Sequence, residues 1–150
     1  MAETDAGFPR WAPAASLVLG VLGLADAAYL TFEHYTGSKT LACSSNGIVN
    51  CHAVTTSRYA TFLGMPVALL GLLFFVALVA LCLPPLWRTR TEWVHVARLA
   101  AAGLGVVSVL YLLWAELFKL DKICLYCTGV HVLTFALFAV VALAGALRRS

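Results

Sequence analysis

The sequence predicts an all-α integral membrane protein, a bundle of four transmembrane helices with a long extracytoplasmic loop between the first two. Three observations predict it. Of 150 residues, 62% are hydrophobic and only 11% charged, and the mean hydropathy of +0.92 lies far outside the balance of a soluble domain. The apolar residues also gather into four stretches of roughly 20 residues each, the length that crosses a hydrocarbon core of about 30 Å. These run from Trp11 to Phe32, Gly64 to Leu83, Val94 to Phe118 and Cys127 to Leu147. They use so much of the chain that residues 1–150 are expected to form one transmembrane domain, with no room for a second, water-soluble one. The formal charge of +3 is small, and the basic residues lie between the apolar runs and not on one face, so nucleic acid is excluded as a partner.

In span 1, after ten polar residues, Gly20 and Gly23 let a neighbouring helix approach closely, which matters where hydrophobicity alone drives no association. Asp26 lies within this span, with a proton-handling role and a structural one equally open. The loop from about Glu33 to Leu63 is too long for a mere connector. Within it VTTSRYATF, Val54 to Phe62, reads as a short helix on the outer surface with Arg58 and Tyr59 at interfacial depth. Gly64 and Pro66 then start span 2, and Pro84-Pro85 stop it. The segment LWRTRTEW is short and basic, which demands antiparallel neighbours. Span 3 repeats the small-residue device at Ala101, Ala102, Gly103 and Gly105. Glu116, near its outer end, is expected to be solvated among headgroups, Trp11, Trp87, Trp93 and Trp114 to anchor span ends, and Phe74 and Phe75 to face lipid.

Orientation follows from the basic residues. With the N-terminus inside, the inner segments hold Arg10, Arg88, Arg90, Arg98, Arg148 and Arg149, and the outer ones Lys39, Arg58, Lys119 and Lys122. This bias favours cytoplasmic N- and C-termini in a multi-pass protein of the inner (cytoplasmic) membrane. Ala25-Asp26-Ala27 resembles a signal cleavage site, but Glu3 and Asp5 precede the run and its apolar pattern continues through Tyr29, Leu30 and Phe32. Either way the same loops lie outside.

Cys43, Cys51, Cys124 and Cys127 form two pairs on that outer side, while Cys82, at the inner end of span 2, reads as a small apolar filler. Cys43 and Cys51 flank a flexible polar segment with Asn46-Gly47, and Cys124 and Cys127 form a C-x-x-C at the head of span 4. There, unpaired N–H groups and the helix dipole are expected to lower the Cys127 thiol pKa and favour the nucleophilic thiolate. Two dithiol pairs at the boundary of water and lipid suit an electron relay. Two static disulfides would use the same residues, and a zinc site would need the four cysteines to converge, with His34 or His52 in reach. Spacing alone leaves all three open. Haem attachment through C-x-x-C-H is excluded, because Thr128 follows Cys127.

The ordered combination is more specific than its parts. Cys43, seven residues, Cys51, five residues, Ser57, then FLGMPVALLG and finally Cys124-x-x-Cys127, together with ADAAYLTFEHY in span 1, resembles the vitamin K epoxide reductase family over nearly the whole chain. The resemblance implies four helices around a membrane quinone, menaquinone or ubiquinone, and the oxidation of an extracytoplasmic thioredoxin-like protein of the DsbA type that makes disulfides in secreted proteins. It implies Cys127 beside the quinone, Cys124 as its partner, Cys51 as the loop cysteine that exchanges with Cys124, and Cys43 as the one that meets the partner protein. Ser57 matches a position near the quinone head group. No thioredoxin-like domain follows Arg148-Arg149-Ser150, so a separate partner is expected. Val67 departs from the pattern, standing where some members place a quinone-binding asparagine, and His131, on the same helix face as Cys127, is a candidate replacement. No metal is expected. Reduction of vitamin K itself, or a bundle with structural disulfides and no activity, are the alternatives.

Overall fold

The computed structural model describes residues 7–36 and 47–148. Four helices, α1 (Ala12–Thr36), α3 (Val67–Leu81), α5 (Glu92–Trp114) and α6 (Leu125–Ala146), pack as a ring in which α1 and α5 each touch both α3 and α6. Ala27, Phe75, Leu78, Ala102 and Leu137 form its dry centre. Among the described residues three helices are long and apolar enough to cross a membrane: α1, α5 with its continuation to Leu120, and α6. Their outward faces carry exposed Val18, Leu22, Val96, Val132 and Leu143, as expected of a membrane protein, whose apolar surface faces lipid.

α1 runs one turn beyond the expected Phe32, because Glu33-His34-Tyr35-Thr36 contains no breaker and Thr36 donates its hydroxyl to the Phe32 carbonyl at 2.8 Å. The short outer helix is displaced from its expected range. α2 covers Cys51–Thr55, set by Asn50, whose Oδ1 accepts the Ala53 N–H at 2.9 Å. Beyond it the hydroxyls of Thr55, Thr56 and Ser57 bond back to the carbonyls of Cys51, His52 and Val54, competing with further helix. A 3₁₀ turn (Arg58–Ala60) follows, then a hairpin of β1 (Thr61–Phe62) and β2 (Met65–Pro66). Leu63 and Gly64, with φ of 53° and 81°, make its two-residue turn.

The hairpin takes Gly64 to Pro66 out of the second apolar stretch. α3 therefore has 15 residues, about 22 Å of helix, where 20 residues were expected. Pro84-Pro85 end α3 and also open a new helix, α4 (Pro84–Arg88), inside the expected loop. Trp87 is buried and donates its indole N–H to the Cys82 carbonyl at 3.1 Å, so it is a packing residue and not an interface anchor. Arg98, counted above with the inner-loop charges, is fully buried. Its Nε and Nη2 donate to the Leu81 carbonyl at 3.0 and 2.7 Å, and its guanidinium lies 3.7 Å over the Trp87 ring. The α3 C-terminus thus has its orphan carbonyl and dipole met by a cation. Cys82 fills the same corner, beside Ser16 and Arg98.

Gly23 shows why the small residues of α1 matter: a Cβ there would fall onto the Phe75 ring, which is fully buried against it. Gly23→Ala is expected to cost about 1–3 kcal/mol of stability through overpacking. Gly71→Ala, whose Cβ would stand 3.9 Å from the Ala27 Cβ, should be neutral or stabilising. Thermal unfolding of both variants in detergent checks the contrast.

Candidate functional site

The outer loop is held against the connection ahead of α6 by backbone pairing. Asn50 N–H donates to the Ile123 carbonyl at 2.9 Å and Ile123 N–H to the Ile48 carbonyl at 2.8 Å, with Val49 and Ile123 forming a parallel bridge. Lys122 adds an Nζ bond to the Gly47 carbonyl at 2.8 Å. These contacts carry the first residue of α2, Cys51, to the first turn of α6. The Leu125 N–H donates to Cys51 Sγ at 3.3 Å, and Cys51, Val54 and Cys124 form one buried cluster against which Cys127 packs. Cys51 is disulfide-bonded, and Cys82, Cys124 and Cys127 are free thiols, so none of the three is its partner. Cys43 lies outside the described residues.

α6 begins at Leu125, two residues earlier than expected, because Cys124 serves as its N-cap: Cys124 Sγ accepts the Cys127 N–H at 3.3 Å. The sulfur at the helix N-terminus is therefore that of Cys124, not Cys127, which corrects the expected assignment of the acidified thiol. A hydrogen bond from the Cys127 thiol, and then the backbone N–H groups of Cys127 and Tyr126, hold the Cys124 thiol below its ordinary value of 9.0, against burial and the nearby Glu116 carboxylate. Thr128 completes the turn, donating its hydroxyl to the Cys124 carbonyl at 2.7 Å.

Behind this cluster a cavity of about 530 Å³ opens between the four long helices, roofed by residues from α2 to the hairpin. Cys127, Ser57, Val67 and His131 all line it, so the structure brings four of the sequence-selected residues to one space. Cys51 and Cys124 are not in its wall; they stand behind Cys127. His131 is buried, and its Nδ1 has no hydrogen-bond partner among the described residues. Ser57 Oγ donates to the Val54 carbonyl at 2.8 Å, which leaves its lone pairs to accept. Phe74 and Phe75, expected to face lipid, line the cavity instead, and Phe75 is fully buried. The space is a largely apolar slot with a few polar groups, the character of a small-molecule site. Its size, apolar walls and the unpartnered imidazole nitrogen fit a planar apolar ring that presents carbonyl oxygens, such as a quinone.

Glu116 overturns its expected solvation. It is only 4% exposed, lines the same cavity and accepts the backbone N–H of Cys124. A π turn over Ala115–Leu120, ended by Asp121 at φ 50°, lies where α5 meets this wall. The signal was present in the sequence: Glu116 continues at seven-residue steps the buried positions Ala102 and Val109. Asp26 reaches α6 from the other side, its Oδ2 standing where a side chain on Gly129 would go. Among the described residues no group of three or more His, Cys, Asp or Glu is gathered to hold a metal ion.

The model of the Vitamin K epoxide reductase family matches residues 14–142.

Because its folded-state value lies below the ordinary one, the Cys124 thiolate persists as pH falls until the lowered value is reached, and the stability it contributes is lost only below that point. Cys127→Ala removes the thiol hydrogen bond that does most to lower the Cys124 value and should move the Cys124 titration upward. Thiolate absorbance against pH, in a Cys82→Ala background, measures the shift; a lower or unmoved midpoint would contradict the assigned cause.

Proposed function

We propose, from the premise that the chain belongs to the vitamin K epoxide reductase family, that it is a membrane oxidoreductase passing electrons from an extracytoplasmic thioredoxin-like protein to a membrane quinone. The observation that carries this reading is the sequence of sulfurs: disulfide-bonded Cys51 against the first turn of α6, Cys124 packed with it, and Cys127 opening from that cluster into the cavity. Each neighbour is close enough to serve the next exchange, and the chain of sulfurs ends in a space with quinone-like character. Free thiols at Cys124 and Cys127 also favour a working pair over two static clamps.

In the proposed cycle a thiolate of the reduced partner protein attacks the loop disulfide at Cys43 through a mixed disulfide, releasing Cys51 as a thiolate. Cys51 attacks Cys124 of an oxidised Cys124–Cys127 pair and frees Cys127. A second thiolate of the partner displaces Cys43 from the mixed disulfide, so that the partner leaves as a disulfide, and the freed Cys43 attacks Cys51, re-forming the loop disulfide and releasing Cys124. Both Cys124 and Cys127 end as thiols, the arrangement found here for Cys51, Cys124 and Cys127. Cys124 is a good leaving group in the resolution step because its thiolate is stabilised at the helix N-terminus. Ser57 and His131 would orient the quinone head group, and Val67 would supply an apolar wall. A bound quinone supplies the two-electron, two-proton acceptor. The helix surfaces around the slot exclude water, which keeps the thiols from other oxidants.

We read α3 as the fourth crossing, since it completes the ring and carries no charged residue over its length. With Arg88, Arg90 and Arg148 at the opposite end from the cysteine cluster, both termini lie in the cytoplasm and the cysteine pairs outside the inner membrane. Disulfide formation in secreted proteins is the process this supports.

With a reduced thioredoxin-like protein as donor and a short-chain quinone as acceptor, Cys127→Ala is expected to abolish quinone reduction followed by absorbance, and Cys124→Ala to abolish it as well. Unchanged turnover in either variant rejects the relay. Cys82→Ala, remote from the cavity, should keep the wild-type rate. In Cys127→Ala the unresolved Cys124 thiolate should attack the loop disulfide at Cys51, releasing Cys43 as a thiol and accumulating a Cys51–Cys124 disulfide visible by mass mapping.

A further inference from the structure

We propose that the Glu116 carboxyl carries a proton from the Cys124 thiol to the acceptor bound in the cavity, an inference that rests on the quinone reading above. Three observations place the group for this work. Its side chain stands, 4% exposed, in the wall of a cavity whose surface is mostly apolar. Its carboxyl accepts the backbone N–H of Cys124, the residue that caps α6. Its charge acts on the thiols of both Cys124 and Cys127. A buried carboxyl in an apolar wall is costly, and structural duty alone would be met by a neutral amide.

The atoms need such a group. Oxidation of the dithiol breaks two S–H bonds and forms one S–S bond; two electrons enter the quinone, and two protons must reach its oxygens. Cys127 faces the cavity and gives its proton there directly. Cys124 has no exposed surface and does not line the cavity, so its proton lacks that path. Glu116 touches the Cys124 turn on one side and the cavity on the other. As the S–S bond forms, its carboxylate takes the Cys124 proton as a carboxyl O–H and passes it to an acceptor oxygen, returning to the carboxylate. Asp26, the other acid acting on Cys127, is not in the cavity wall. Cys124 and Cys127 are the titratable groups on which Glu116 acts, and the others in the same cavity wall are His131 on α6, Tyr59 on the 3₁₀ turn, Tyr111 on α5 and His34 on α1.

Glu116→Gln keeps the size of the side chain and an oxygen for the Cys124 N–H but cannot carry a proton. In single-turnover oxidation of the fully reduced chain by a short-chain ubiquinone, it should slow dithiol oxidation by about 100-fold, and Glu116→Asp should recover part of the loss. An independent readout needs no quinone: the Cys124 amide resonance in the quinone-free protein should show, besides the step of its own thiol, a second titration step that Glu116→Gln lacks. A wild-type rate in Glu116→Gln, or a Cys124 amide with no such second step, overturns the proton path while leaving the relay standing. A wild-type chain that reduces no quinone overturns both. Where Glu116→Gln does not fold, the Glu116→Asp rate and the wild-type amide titration decide alone.

Discussion

Two backbone hydrogen bonds, from Asn50 to the Ile123 carbonyl and from Ile123 to the Ile48 carbonyl, hold the chemistry of this chain together. They join a polar loop to the connection just before the last helix, across more than seventy positions of sequence. Along the chain Cys51 and Cys124 are joined only through the lengths of α3 and α5, so contacts of this kind, with the Lys122 bond to Gly47 and the cluster of Cys51, Val54 and Cys124, are what bring their sulfurs together. With them, α2 starts where α6 starts, and the loop sulfur accepts a hydrogen bond from the α6 backbone. Such pairing is strong where water is scarce, because an unpaired backbone group there has no alternative partner.

That clamp explains the division of labour between the two α6 cysteines. The residue nearest the loop also caps the helix, so thiolate stabilisation falls on Cys124, the sulfur to which the proposed relay gives the exchange. The next residue of the pair, one turn in, opens onto the cavity. The N-terminal turn of one helix thus gives neighbouring sulfurs different surroundings, one facing a disulfide and the other facing an apolar slot. The same economy appears at the opposite end, where Arg98 closes the α3 C-terminus and stacks on Trp87 within the packed interior.

Composition and apolar run lengths made the fold class legible, and the spacing of small residues in α1 marked the face that meets α3. The sequence singled out Cys124, Cys127, Ser57, Val67 and His131, of which the last four line one cavity; two of the five lie on α6 and Cys124 caps it. Less legible was everything decided by tertiary contact. Trp87 and Arg98 look like interface residues in sequence because nothing local tells that the α3 carboxyl end needs a donor. The Thr-Thr-Ser run masked the end of α2, since its hydroxyls favour a turn as readily as an amphipathic face. Glu116 was misjudged by depth alone, although its seven-residue register with Val109 pointed inward. The capping role of Cys124 depended on where α6 begins, and element boundaries are set by the very contacts that a single sequence hides.

The length of α3 has a consequence for the surrounding lipid. With α3 as the proposed fourth crossing, a helix of about 22 Å stands beside α1, which is about 37 Å long, and the bundle would offer lipid helices of unequal length. A bilayer meets such hydrophobic mismatch by thinning on one flank or by tilting the whole body, at fractions of a kcal/mol per Å. Acyl chains beside α3 are then the most disturbed ones, and membranes of different thickness will seat the protein at different angles.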